Sequence, residues 1–249
     1  AGHVLIDGGY PRTPAIIRAN IAALGYRLAD VKLLLNSEPH YDHAGGLAEL
    51  QRASGARVAA SEHSARALRR GDGGEGEAFW PLRLLAWTGV TRYAPVRVDG
   101  IVADGDTLRV GPVTLVAHLT PGHTRGCTSW EIPVRDGART LRVLSACSLV
   151  LFPSVSLVAP ESGPGARADW ERTIARLRAL DPDIWVTSHG RAWGRYAKFT
   201  ASRAAADPVA PFVDRAGFRA YVDSGAARLA RQVARQARDG APRWWDVVP

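Results

Sequence analysis

The first 70 residues alternate between short apolar runs and segments with helical periodicity. The apolar runs have the length of buried strands, and turn or capping residues separate them from the helical segments. The expected strands are residues 3–6, 31–35 and 56–60, and the expected helices are residues 14–24, 44–54 and 61–70. In the first helix, Thr13 is predicted to be the cap, and Ile17, Ile21 and Leu24 its buried face. This alternation is typical of α/β layering with a largely covered sheet.

The pattern of apolar and turn residues changes after residue 95, where a meander of mostly antiparallel strands is predicted. Asp-Gly turns separate several strand-like runs, which are residues 96–98, 107–110, 113–119, 128–134 and 139–144. A helix over 168–180, a short strand over 183–187 and a long amphipathic C-terminal helix follow. The apolar segment 79–87 could be packed core, a lid or an exposed patch. We expect one domain over residues 1–249.

Composition and charge narrow the class of protein. The chain has 249 residues with ordinary globular composition and a formal net charge of +8. No apolar run approaches the ~18–20 residues of a membrane span, and no signal-peptide pattern opens the sequence. The basic residues are scattered, which favours a solvated surface over a nucleic-acid partner, although a site that attracts small anions remains an alternative. The two cysteines, Cys127 and Cys147, form no C-x-x-C pattern.

The strongest chemical signal is a cluster of ligand-type side chains between a predicted strand and a predicted helix. Glu38, His40, Asp42 and His43 lie within six residues, just before Gly45-Gly46. Imidazole and carboxylate are the ligands that a catalytic zinc uses. The alternative is a polar loop that caps the next helix, but a single Ser or Asp would suffice for that. The spacing therefore favours a metal site.

Two later histidines are candidates to complete the metal coordination. His123 and His189 each follow a predicted strand and lie beside small residues, which is where layered α/β folds place their sites. His3, His63 and His118 carry no such context and are expected to be surface or core residues.

These motifs resemble those of the metallo-β-lactamase superfamily, whose hallmark is H-x-H-x-D-H followed by two later histidines. Residues 4–9 (VLIDGG), 121–130 (PGHTRGCTSW), 145–149 and 188–190 add to the resemblance, which is strongest to the subclass B3 zinc β-lactamases. The resemblance implies an α/β fold, a four-layer αββα sandwich with two mixed sheets flanked by helices.

The resemblance also implies roles for individual residues. Glu38, His40 and His123 would hold a first zinc ion, and Asp42, His43 and His189 a second. Asp42 would also be catalytic, by orienting the attacking water. Ser148 would bind substrate beside the second zinc, although a one-residue shift in alignment would exchange its role with that of Cys147.

Three departures from the family pattern affect the interpretation. Glu38 stands where the first histidine is usual, so the first zinc site is expected to fill less readily. Arg125 stands where proline is common; it could bind an anionic substrate or face the solvent. The family has strands ahead of residues 3–6, and the sequence lacks them.

The implied function is hydrolysis of the β-lactam ring of antibiotics by zinc-activated water, which confers antibiotic resistance. A monomeric, periplasmic enzyme with small-molecule substrates is expected. The glyoxalase branch has a bridging aspartate, but between residues 134 and 160 only Asp136 occurs, in a predicted turn. A lactonase or thioester hydrolase of the same fold remains an alternative. A metal- or nucleic-acid-binding protein without turnover is a third.

Overall fold

The strands of the chain form two sheets in the computed structural model, which describes residues 2–73, 91–158 and 165–241. The first sheet has the order β1-β2-β3-β4 and the second β5-β6-β7-β8-β9. The strands are β1 (His3–Ile6), β2 (Val31–Leu35), β3 (Arg57–Ser61), β4 (Gly100–Val102), β5 (Thr107–Val110), β6 (Val113–Leu119), β7 (Thr128–Asp136), β8 (Arg139–Ala146) and β9 (Ile184–Thr187).

Helices accompany both sheets, so the predicted α/β sandwich is confirmed. They are α1 (Pro14–Ala23), α2 (Tyr41–Ala44), α3 (Leu47–Ser54), α4 (Glu62–Arg70), α5 (Ala166–Leu180), α6 (Arg195–Ala204) and α7 (Arg215–Asp239). Within the described ranges, no helix combines the length and the apolar character needed to cross a membrane. The chain divides into two compact units, residues 1–119 with 124–128, and residues 120–123 with 129–249. The single domain stays a prediction.

The sheet of the first unit is parallel in all three of its described pairings, whereas a mixed sheet was expected. Its central strand β2 is buried at four of five positions, as a strand covered on both faces should be. Residues 96–98 were wrongly predicted as a strand. They contribute Val96 and Val98 to the core, but the strand begins at Gly100. Asp99 explains why the strand begins late. Its backbone N–H donates to the Val58 C=O, and its carboxylate accepts the Val58 N–H.

A break in the helix after β2 differs from the continuous helix predicted over residues 44–54. The helix starts earlier, at Tyr41, stops at Ala44 and resumes at Leu47. A Cβ on Gly45 would collide with the Tyr41 carbonyl oxygen, and one on Gly46 would collide with that of Gly8. The two glycines therefore let the β1–α1 loop approach the backbone beside the ligand cluster.

The helix α1 follows its prediction only in part. Thr13 occupies the capping position, but its side chain makes no capping hydrogen bond. Ile17 and Ile21 pack against the core, whereas Leu24 is 72% exposed. Leu24 lies just beyond the last helical residue, so it no longer follows the helical face.

The second unit brings two loops to one edge of its sheet. Strand β8 pairs with β7 in antiparallel and with β9 in parallel orientation, and Ala146 stands opposite Thr187 where β8 and β9 end. Ser148 and His189 each follow two residues later, so both loops start from the same edge. Helix α6 was not predicted, because it buries no residue and has no apolar face in the core.

Asp214 connects the start of helix α7 to helix α6. Its carboxylate accepts the N–H of Gly217, which caps α7, and the ammonium of Lys198 at 2.7 Å. Burial opposes ionisation of Asp214, but these hydrogen bonds outweigh burial and hold the pKa of its carboxyl below the usual value.

We expect Asp214→Ala to lower the free energy of unfolding by about 1–2 kcal/mol at pH 7, because the helix cap is lost. The folded-state pKa is depressed, so this stabilisation is present above about pH 4 and disappears as the pH falls through the folded-state value. Guanidinium denaturation at pH 7 and pH 3 measures both effects. Asp223→Ala on the same helix is the control, because Asp223 forms an exposed ion pair with Arg178 and does not cap the helix. Equal losses for both variants would contradict the capping role.

Candidate metal centre

The ligand cluster lies in a buried loop at the carboxyl end of β2. Glu38 is fully buried, and His40 and His43 are 8% and 4% exposed. The loop is fixed by hydrogen bonds from the Asn36 amide to the Glu38 carbonyl (2.6 Å) and from the Tyr93 hydroxyl to the Pro39 carbonyl (2.8 Å). A buried charged group needs compensating partners, so this position indicates a specific role for the cluster.

The ligand atoms of the cluster point toward a common space. Glu38 Oε2 lies 2.8 Å from Nδ1 of His40, and Glu38 Oε1 lies 3.6 Å from Nε2 of His43. Nε2 of His43 is also 3.5 Å from Oδ2 of Asp42. Two imidazole nitrogens and two carboxylates within these distances form a donor set suited to a divalent metal ion. Four of the six predicted metal ligands are thus gathered within the first unit.

Asp7 contacts the His43 ring at the nitrogen that faces away from the cluster. Strands β1 and β2 are parallel and end at the paired residues Ile6 and Leu35, so Asp7 emerges beside the ligand loop. Its Oδ2 lies 3.0 Å from Nδ1 of His43 and accepts the Ser37 hydroxyl, while Oδ1 accepts the Ser37 N–H at 2.7 Å. This bond places the proton of His43 on Nδ1 and leaves Nε2 to face the cluster.

The surrounding carboxylates strongly favour a proton on His43. Burial opposes its charged form, but Glu38, Asp7 and Asp42 outweigh burial and raise the pKa of His43 to about 10. The site is therefore rich in negative charge, which attracts protons or metal cations alike. A metal ion must displace the proton from this imidazole.

The second unit holds the other two predicted ligands. His123 Nδ1 lies 2.7 Å from the Val150 carbonyl, which fixes that tautomer and leaves Nε2 for another partner. Gly122 before it has a φ of 153°, and a Cβ there would lie 2.8 Å from the Trp170 ring. His189 is exposed in the loop after β9. Their part in metal binding stays a prediction.

The predicted substrate-binding residues differ in their surroundings. Ser148 is 4% exposed and lines the same cavity as His189, and its hydroxyl accepts the N–H of Val150. Arg125 is exposed, and both interpretations of it stay open. Both cysteines, Cys127 and Cys147, are disulfide-bonded, so neither offers a free thiol.

The three remaining histidines and Asp7 complete the comparison with the sequence. The His3 ring contacts the Tyr26 ring in a tilted arrangement, His63 lies beside Arg66, and His118 is buried in β6. Sequence reasoning missed Asp7 as part of the site, although its position in the Asp-Gly-Gly turn directly after a strand was a usable signal. The apolar segment 79–87, for which packed core, a lid and an exposed patch were the alternatives, lies outside the described residues.

Comparison with known proteins decides the family. The model of the metallo-beta-lactamase superfamily matches residues 1–189. The chain belongs to the metallo-beta-lactamase superfamily. It is 30% identical over 172 residues to a probable metallo-hydrolase of Burkholderia pseudomallei (strain 1710b), covering 66% of this chain and 52% of that protein.

Two further proteins show the range of similarity. A hydroxyacylglutathione hydrolase of Fuscovulum blasticum is 27% identical over 187 residues, covering 74% of this chain and 55% of that protein. The chain thus spans about half the length of the curated relatives that it matches. The structure of BJP-1, a subclass B3 metallo-beta-lactamase of Bradyrhizobium japonicum, is 33% identical, with a TM-score of 0.83 over 95% of this chain and 85% of that one.

We expect Asp7→Asn to weaken binding of a divalent metal by about 10–100-fold, the usual effect of removing a partner behind a metal ligand. Asparagine tolerates the positive φ of 64° at this position, so the backbone need not change. Its amide would donate to Nδ1 of His43 and move the imidazole proton to Nε2. Competition with a chromophoric chelator measures the affinity. Asp30→Asn, at a partly exposed acidic residue paired with Arg27, is the control. Unchanged affinity in Asp7→Asn would contradict the positioning role.

Proposed function

We propose that this protein is a zinc-dependent hydrolase that opens the β-lactam ring of antibiotics and thereby confers resistance. The observation that carries the proposal is the convergence of Glu38, His40, Asp42 and His43 within the first unit, with Asp7 fixing His43. The similarity to a subclass B3 metallo-beta-lactamase supports the β-lactam substrate. A monomeric, periplasmic enzyme belongs to the same proposal.

The donor set fits two zinc ions. We propose that Glu38, His40 and His123 hold one ion and that Asp42, His43 and His189 hold the other. The first set has two nitrogens and one oxygen, and so has the second, which is within the ligand range of catalytic zinc. When bound, zinc supplies a Lewis acid and lowers the pKa of water from 15.7 toward about 7.

The residues of the chain itself orient the reaction. In this proposal the Asp42 carboxylate accepts a hydrogen bond from the attacking water and aims it at the lactam carbonyl. The pair Asp7–His43 keeps the imidazole in one orientation. The Ser148 hydroxyl and the exposed guanidinium of Arg125 contact the anionic groups of the substrate.

We expect the protein to hydrolyse the chromogenic cephalosporin nitrocefin, and we expect dipicolinate to abolish this activity and added zinc to restore it. Asp42→Asn should lower kcat/KM by more than about 100-fold, because even partners behind metal ligands contribute 10–100-fold. Asp30→Asn is the control, since Asp30 is partly exposed and is not one of the predicted ligands. Turnover that survives removal of the metal would overturn the proposal.

A second candidate function is hydrolysis of a thioester or lactone. The similarity to a hydroxyacylglutathione hydrolase favours it, as does the generic metallo-hydrolase among the relatives. Asp136 does not supply the bridging aspartate of the glyoxalase branch, because it ends β7 and bonds to Arg139 in the turn before β8. Turnover of S-lactoylglutathione without turnover of nitrocefin would favour this function.

The glutamate at the first ligand position has its own consequence for metal binding. A Glu38 carboxylate adds a negative charge where imidazole adds none, which makes the bound zinc a weaker Lewis acid, and its oxygens reach differently from a ring nitrogen. We therefore propose that the first site fills less readily than the second.

We expect calorimetric titration with zinc to resolve two unequal sites, and Glu38→His to tighten the weaker site by about tenfold. Glu49→His is the matched control, because Glu49 is exposed on α3. Two equally tight sites in the unmodified protein would contradict the hypothesis.

A further inference from the structure

A cavity of about 830 Å³ opens within the second unit. It is bounded by the segment after β8, the loop after β9, and helices α6 and α7, and its wall includes Ser148 and His189. Its volume is within the range of about 300–1,000 Å³ that holds small-molecule ligands. The metal mechanism uses only the residues Ser148 and His189 of this wall, so most of the cavity has no assigned role.

The wall of the cavity is largely apolar and firmly held. Trp185 is buried and stacks on Tyr221, with the ring centroids 5.0 Å apart. Trp193 is also buried, and its indole N–H donates to the Thr187 carbonyl. The Tyr221 hydroxyl accepts the N–H of Leu149 at 3.0 Å. Because Trp193 and Tyr221 are held at their polar ends and Trp185 packs against Tyr221, the cavity is preformed and offers aromatic faces to a ligand.

The charges in the wall are unequally compensated. Lys198 and Asp214 form an ion pair at 2.7 Å, and the Lys198 ammonium lies 5.4 Å above the Trp185 ring. Arg228 instead donates to two neutral oxygens, the Ser224 hydroxyl and the Leu149 carbonyl. Within the described ranges, no carboxylate forms an ion pair with Arg228, so the cavity keeps a net positive charge there.

We infer that this cavity binds an apolar, aromatic substituent of the substrate that carries or adjoins an anionic group near Arg228. The inference rests on the proposed function, because the substituent belongs to a molecule whose reacting bond is held at the metal centre. Ser148 and His189, to which the proposed function assigns substrate binding and metal binding, also line this cavity. The cavity would make the enzyme prefer substrates with a bulky aromatic side chain.

Two exposed alanines allow the cavity to be filled without disturbing the core. Ala197 on α6 and Ala220 on α7 both line the cavity and are both exposed. Phenylalanine at either position would occupy cavity space from a helix surface. Ala201→Phe and Ala230→Phe are the matched controls, since both residues are exposed on the same two helices and lie outside the cavity wall.

Probe binding tests the cavity without any catalytic assay. The zinc-loaded protein should bind the anionic fluorophore anilinonaphthalene sulfonate, and Ala197→Phe and Ala220→Phe should each raise its Kd by about tenfold or more relative to the controls. Arg228→Gln should weaken binding of this probe more than binding of the neutral N-phenylnaphthylamine. Equal affinities in the cavity variants and the controls would overturn the inference.

Substrate preference tests the connection to the metal centre. For a pair of β-lactams with the same ring, one with an aromatic and one with a small side chain, Ala220→Phe should lower the ratio of their kcat/KM values by about tenfold, through KM. Ala230→Phe should leave the ratio unchanged. If both lactams are hydrolysed and the ratio does not change in Ala220→Phe, the inference fails and the proposed function stands. If neither is hydrolysed but the cavity variants lose the probe, the ligand cavity stands and the β-lactam assignment fails.

Discussion

The contact between the Asp7 carboxylate and the His43 imidazole is the interaction on which the ligand cluster depends. It fixes the imidazole tautomer, and it ties the end of β1 to the loop after β2. Without it, the most buried histidine of the cluster would face two further carboxylates with an undefined orientation. The negative charge around His43 is costly in an interior, and a bound cation is the natural means of compensation. The cluster is thus arranged for a ligand that the protein chain itself does not contain.

Both units use the same geometric device to gather polar side chains. In the first unit, β1 and β2 end in register, and Asp7 and Ser37 meet at that edge. In the second unit, β8 and β9 end in register, and the loops with Ser148 and His189 start there. The loops that follow adjacent parallel strands leave the sheet at the same edge, which is why α/β folds place their sites at the carboxyl ends of strands. Chemistry on this fold can therefore vary through the loops while the strands stay the same.

Most strands and the ligand cluster were predictable from the sequence because both are local patterns. Buried parallel strands are continuous apolar runs, and the spacing of Glu38 to His43 is visible within six residues. The failures have non-local causes. Asp99 delays β4 through bonds to Val58, and the helix after β2 breaks where the Gly8 backbone approaches it. The partnership of Asp7 with His43 spans 36 residues and depends on strand register, which a single sequence does not reveal.

The pairing of Lys198 with Asp214 links the stability of helix α7 to the charge of the cavity wall, two properties that proteins usually vary separately. The same carboxylate begins a 25-residue helix and neutralises a cation in the cavity wall. A mutation that reshapes the cavity at this pair would also weaken the start of the helix, so changes in ligand preference at this position would reduce thermal tolerance. Conversely, any molecule that binds to this wall in the native state shifts the folding equilibrium toward that state. A melting-temperature screen of small acids could therefore find its occupants before any reaction is known.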